Sequence, residues 1–176
     1  MIGRALTIGV YDWDAASFLR ALRGAGAETV LDLRRRRGVR GREYAWANAR
    51  RLQAMLAEAG IGYEHLIELA PTNEMRSALY ASAAARGESQ RTRTTLTEEY
   101  RREYARAILG RVDLERLLAG YGRECTAALM CVEALPAACH RSLVAAELRE
   151  HHGVAVQDAL PEGWTKTGRV RPGRPG

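Results

Sequence analysis

The sequence predicts an α/β fold, a single three-layer domain built on a mostly parallel sheet of about five strands. Short, nearly continuous apolar runs, as expected of strands buried on both faces, alternate with stretches of helical periodicity. At 176 residues the chain is long enough for one well-buried core, and no linker divides it. The expected organisation is one domain over residues 1–160, followed by a basic, glycine- and proline-rich tail over 161–176.

Each element has a local signature. Ala5 to Val10 reads as a buried strand, and Phe18, Leu19 and Leu22 after Asp14 form one helical stripe that Gly24 and Gly26 stop. Thr29 to Leu33 is the second strand, and Arg34 to Trp46 a long basic loop. Leu52, Met55, Leu56 and Ala59 then recur at i, i+3, i+4 and i+7, with Gly60 ending the helix. Tyr63 to Ile67 is a third strand. From Pro71 to Gly122 the pattern is mostly helical: Thr95 and Glu98 have capping-box spacing ahead of a stripe of Leu96, Tyr100, Tyr104, Ala107 and Ile108, the two tyrosines as core. The polar segment Arg86 to Thr95 reads as a mobile loop. Thr126 to Val132 is apolar enough to be the central strand, Cys139 to His152 is the helix after it, and Val154 to Val156 the last strand.

Charge is unevenly placed. Residues 34–51 carry a net +7, the tail from Trp164 adds +4, and the rest of the chain is at −5, so the overall +6 is a localised patch of the kind that attracts phosphate. With one lysine against 26 arginines, the position of the arginines says more than their number. In the basic loop, Arg35, Arg36, Arg37, Arg40 and Arg42 surround Tyr44 and Trp46, a mixture suited to gripping a backbone and stacking bases. No run of eighteen apolar residues and no leader-like start are visible, which gives the expectation of a cytoplasmic protein with no membrane partner. Three cysteines are too few and too close together for a secreted disulfide scaffold.

In a parallel sheet, ligands bind beyond the carboxyl ends of the strands. Tyr11 after the first strand, Asp32 and Arg34 after the second, His65 and Glu68 after the third, and Cys131 and Glu133 after the fourth all fall at that edge. Next comes Cys139-His140-Arg141-Ser142, expected in the first turn of a helix, where unpaired N–H groups favour anions and lower a thiol's pKa. The candidate catalytic residues are therefore Asp32, Glu133, His140 and Cys139, and the candidate phosphate- and substrate-binding residues are Gly9, Tyr11, Arg34, His65, Arg141 and Ser142. Asp32 and Glu133 have the chemistry to activate water and stabilise a sugar cation. Bland alternatives stand beside these: Asp32 and Arg34 share a strand face and can close an internal salt bridge, and Cys139, Leu143 and Ala146 share one helical face, so Cys139 can be core filler.

Thr7-Ile8-Gly9, Val30-Leu31-Asp32-Leu33-Arg34, Gly60-Ile61-Gly62-Tyr63 with His65, and above all Cys131-x-Glu133-x-x-Pro136-x-x-Cys139-His140-Arg141 together resemble the domain of unknown function 488 family, over residues 5 to about 158. The resemblance implies a compact three-layer α/β domain of bacterial and archaeal cytoplasm with a nucleotide- or nucleic-acid-processing role. The chain departs from the family pattern at Arg35 to Arg42, where a short proline- and serine-containing turn is usual.

Spacing sorts the rival chemistries. A phosphatase-like Cys-x5-Arg loop would need arginine where Ala145 stands. A sulfurtransferase-like use of Cys139 lacks a glycine-rich cradle after the thiol but stays open as a thiol-dependent alternative. A zinc site from Cys125, Cys131, Cys139 and His140 lacks a C-x2-C pair, and Cys125 lies roughly 20 Å from Cys131 by strand rise, so neither metal nor other cofactor is expected. The leading expectation is an enzyme acting on a nucleotide or nucleic acid by hydrolysis at a glycosidic bond. A non-catalytic nucleic-acid-binding module is the alternative from another class. The sequence leaves the oligomeric state open.

Overall fold

The computed structural model describes residues 1–165 and 168–169. Five strands, β1 (Arg4–Ile8), β2 (Thr29–Asp32), β3 (Gly62–His65), β4 (Thr126–Met130) and β5 (Ala155–Asp158), form one sheet in the order β3-β2-β4-β1-β5. Every pairing in it is parallel. β4, buried at every position, is the central strand, as its apolarity predicts.

Helices cover both faces, which makes three layers. α1 (Ala15–Gly24) and α2 (Ala49–Glu58) set Phe18, Leu22, Leu52 and Leu56 against Leu6, Ile8, Val30, Ala128 and Met130. On the other face, α3 (Asn73–Ala85), α4 (Glu98–Ala107), the short α5 (Leu114–Leu117) and α6 (Arg141–His152) pack Met75, Leu79, Tyr104, Leu114, Val144 and Leu148 onto Leu31, Ala127 and Leu129. Successive strand residues thus feed opposite cores, the period of two expected of a sheet.

The predicted starts and stops mostly coincide with real caps. Asp14 caps α1 in a reciprocal box with Ser17, and Gly26 and Gly60 take the left-handed conformations (φ 66° and 71°) that end α1 and α2. The capping box expected at Thr95 and Glu98 does not form: Thr97 is the cap, its hydroxyl accepting the Tyr100 N–H at 3.2 Å. Part of the basic loop, Arg42–Ala47, winds into a 3-10 turn. β1 to β4 end one or two residues earlier than their apolar runs, although the ladder continues through Val10 N–H to Val132 O at 3.0 Å and Leu33 N–H to Met130 O at 3.0 Å, whereas β5 runs two residues past the expected Val156, to Asp158.

Within the expected tail, Trp164–Thr165 (β6) and Gly168–Arg169 (β7) pair as a small antiparallel hairpin, and residues 170–176 lie outside the described residues. Among the described residues no helix is long and apolar enough to cross a membrane.

Candidate active site

A narrow cleft opens at the carboxyl edge of the sheet, between the segments that follow β2 and β4 and the α3–α4 connection. Its volume is about 50 Å³, where one water needs roughly 10–15 Å³, so the cleft has room for a few water-sized groups. Cys131, Glu133, Cys139 and His140 line the floor, with Arg93 and Tyr100 beside them, and Arg35, Arg36, Arg76 and Tyr80 stand on the walls.

The floor is assembled by backbone packing. After β4 the chain crosses directly over Gly9, where a Cβ would lie 2.0 Å from Glu133 O, so only glycine admits it. Arg141, fully buried, reaches back and donates to Glu133 O at 2.6 Å and to Ala134 O at 2.8 Å. A 3-10 turn at Pro136–Ala138 then delivers Cys139 in extended conformation and His140 as the residue preceding α6. Cys139 is therefore outside the helix, and it shares no helical face with Leu143 and Ala146. The helix start offers no open anion cradle either: Ser142 N–H bonds Cys139 O at 3.1 Å, and Leu143 N–H bonds His140 O at 2.9 Å.

Glu133 Oε1 accepts from Arg93 Nη2 at 3.0 Å and from Gln90 Nε2 at 3.1 Å, while Oε2 lies 3.6 Å from the Cys131 sulfur. Burial, and then the neighbouring Cys139 thiolate, raise its pKa from the ordinary carboxylate value despite Arg93. His140 Nε2 donates to Leu33 O at 3.0 Å, because a carbonyl only accepts, and this turns Nδ1 toward both sulfurs, 3.8 Å from each. Burial opposes ionisation of Cys139, but the Cys131 thiol and the positive His140 and Arg141 outweigh it and hold Cys139 well below the ordinary thiol range. Burial drives Cys131 the other way, well above that range. His140 is raised, since the Cys139 thiolate overrides the effect of its burial. Tyr100 and Tyr104 are raised by burial, as their place in the core leads one to expect.

Arg93 is the site residue that sequence reasoning missed. It lies in the segment read as a mobile loop, yet it is 3% exposed, donates to Ala138 O at 2.9 Å and pairs with Glu133. Its Nη1 is buried and, among the described residues, has no partner; Arg35 Nε is in the same state. Gln90 was missed too. Both belong to a polar stretch whose partner is 40 or more positions away, so no local pattern marks them.

Several expected members stand elsewhere. Asp32 points to the α1–α2 face, opposite Cys131 and Glu133, and does not line the cleft. The internal salt bridge is what forms: Arg34 donates from Nε to Oδ1 at 2.8 Å and from Nη2 to Oδ2 at 2.7 Å, with Tyr63 Oη also on Oδ2 at 2.7 Å. Arg34 completes its set on Ala47 O at 2.9 Å. Desolvation opposes its charge, but Asp32 more than compensates and raises the guanidinium's pKa. Asp32 and Arg34 thus lock β2 to β3 and to the basic loop, and Arg34 reaches the cleft only as wall. His65 donates from Nε2 to Arg34 O at 2.9 Å, and Ser142 Oγ to Cys139 O at 2.9 Å. Neither Gly9 nor Arg141 lines the cleft; both meet the Glu133 backbone beneath its floor.

The aromatic residues of the basic loop are packed against the fold. Tyr44 is 6% exposed, its hydroxyl accepting the Asp12 N–H at 3.2 Å, and Trp46 packs on Phe18 with centroids 4.8 Å apart. Tyr11 and Tyr44 border a second hollow, and the Arg91 guanidinium lies 5.0 and 5.1 Å from their ring centres. Arg35 and Arg36 line the cleft, whereas Arg37, Arg40 and Arg42 do not.

The fold and floor define a three-layer, all-parallel α/β domain with a carboxylate, two thiols and an imidazole at the sheet's carboxyl edge. The chain belongs to the family described as domain of unknown function DUF488, whose model matches residues 14–148. No curated protein and no solved structure matches it.

Proposed function

We propose that this protein is an enzyme acting on a phosphate-bearing substrate, a nucleotide or a segment of nucleic acid, by hydrolysis at the glycosidic bond. The carrying observation is Arg93: a buried guanidinium whose Nη1 is unpartnered among the described residues, held beside Glu133 at the lining of the cleft. A buried donor without an acceptor costs about 1–3 kcal/mol, and a phosphate oxygen relieves that cost. Arg35, Arg36 and Arg76 extend the cationic wall toward the mouth. Glu133 Oε2, free of the arginine, is the general base for water. With Asp32 away from the floor, Glu133 is, among the described residues, the one carboxylate lining the cleft to activate water and balance the positive charge that develops on the sugar, while the negative charge and the proton demand of the leaving base fall to the arginines and His140.

The test is release of free base from a panel of nucleotides and oligonucleotides, followed by chromatography. Glu133→Gln should lower turnover by about 10²-fold or more while nucleotide still binds. Binding without turnover in the wild-type protein would instead mark a binding module. One observation favours a second reading, a thiol-dependent transferase: the Cys139 sulfur lies in the same cleft, 3.8 Å from His140 Nδ1. In that case Cys139→Ser, not Glu133→Gln, abolishes activity.

A further inference from the structure

We infer that Cys131, Cys139 and His140 form a binding site for a thiophilic divalent cation, zinc being the ion whose geometry fits, with its fourth position open to the cleft. Spacing along the chain argued against a metal, because the two thiols are separated by seven residues and Cys125, at the other end of β4, suggested the wrong set. Folding joins the right one: the chain leaves β4 at Cys131, passes through the Pro136–Ala138 turn and returns Cys139 and His140 to the same spot. Their ligand atoms all lie within 4.8 Å of one another.

The spacing is slightly wider than that of a tetrahedral shell. Zinc–sulfur bonds of about 2.3 Å and zinc–nitrogen bonds of about 2.0–2.1 Å put sulfur and nitrogen roughly 3.5–3.6 Å apart around one ion. Both sulfurs lie 3.8 Å from Nδ1, a few tenths of an ångström beyond that spacing, and the two sulfurs, within 4.8 Å of each other against about 3.8 Å in such a shell, close on a cation by a shift of at most about 1 Å. The imidazole is already oriented to ligate. Its Nε2 is committed to Leu33 O at 3.0 Å, leaving Nδ1 as the ligating atom, the outer-partner arrangement that holds metal-bound histidines. Two thiolates neutralise a divalent ion, and their protons leave to solvent as it binds. All three residues line the cleft, which gives the ion a path in, and Glu133 Oε2 lies 3.6 Å from the Cys131 sulfur, beside the open position. An ion there would polarise a water that Glu133 can deprotonate. The site itself does not depend on the hydrolytic proposal, since its test reads metal binding and not turnover.

The test is titration of the reduced full-length protein with Co²⁺, followed by competition with Zn²⁺. The expected result is one ion per chain, with a thiolate-to-cobalt charge-transfer band and intense tetrahedral ligand-field bands that Zn²⁺ abolishes. Cys131→Ser and His140→Gln should each weaken binding by more than about 100-fold, since even outer partners of metal ligands are worth 10–100-fold. Cys125→Ser should leave the spectrum unchanged. In case the variants fail to fold, zinc X-ray absorption of the wild-type protein reads the shell directly, and two sulfurs with light-atom neighbours are expected. An absence of stoichiometric binding, a shell without two sulfurs, or a spectrum lost only with Cys125 would overturn the proposal. Metal bound as inferred, with no base release from any nucleotide, would leave this site standing and defeat the hydrolytic function.

Discussion

Arg93 donates from Nη2 to Glu133 Oε1 at 3.0 Å and keeps its equally buried Nη1 without a partner among the described residues. One side of the guanidinium thus holds the carboxylate in place, and under the proposed function the other takes a phosphate oxygen. Lysine can fill only the first of these roles, because it lacks the planar fork. Arg93→Lys should therefore keep the fold and weaken affinity for nucleoside monophosphate by at least about tenfold, given about 1.5–3 kcal/mol for a hydrogen bond to a charged group. Calorimetric titration measures it.

The Asp32–Arg34 pair makes a different prediction, because it is structural. Both side chains are almost completely inaccessible, and removing one partner strands the other charge. Asp32→Ala should cost about 3–5 kcal/mol of stability in urea unfolding, and Tyr63→Phe about 1–3 kcal/mol through one lost hydrogen bond to the carboxylate. An Asp32→Ala protein of unchanged stability that had lost only turnover would contradict this placement.

These two residues also show how far the sequence could be read. The parallel sheet, its central strand and the gathering of polar residues at its carboxyl edge were legible, because burial on both faces leaves unbroken apolar runs and parallel order fixes where the loops gather. Which face each edge residue points to was not. Period two sends Asp32 toward α1 and α2 and Glu133 toward α3, α4 and α6, but an apolar strand buried on both sides carries no polarity to tell the faces apart. Cys139, His140 and Glu133 were found because one motif brings them within a few residues. Arg93 and Gln90 were hidden because their role exists only across the fold.

Gly9→Ala probes the packing beneath the floor. The added methyl group would collide with Glu133 O, a backbone atom that Arg141 also grips, so neither side can yield easily. Destabilisation of about 1–3 kcal/mol is expected, as for overpacking elsewhere, together with loss of nucleotide affinity as the floor shifts. Denaturant unfolding and ligand titration on the same preparation separate the two effects.

The basic wall predicts salt dependence. Arg35 and Arg36 line the cleft while Arg40 and Arg42 do not. Charge removal at Arg35 and Arg36 should weaken oligonucleotide binding and reduce its salt slope by about 0.7–0.9 per lost phosphate contact, with a smaller effect at Arg40 and Arg42. Fluorescence anisotropy over a series of salt concentrations resolves the slopes.

The sharpest single measurement of where the substrate sits is a crystal structure of the protein soaked with a nucleoside monophosphate. The phosphate is expected in the cleft, within hydrogen-bond distance of Arg93 Nη1, with the sugar toward Glu133 Oε2. A phosphate seated instead in the second hollow, which Tyr11, Tyr44, Arg91 and also Arg93 line, and away from Glu133, would contradict the assignment of the cleft as the active site.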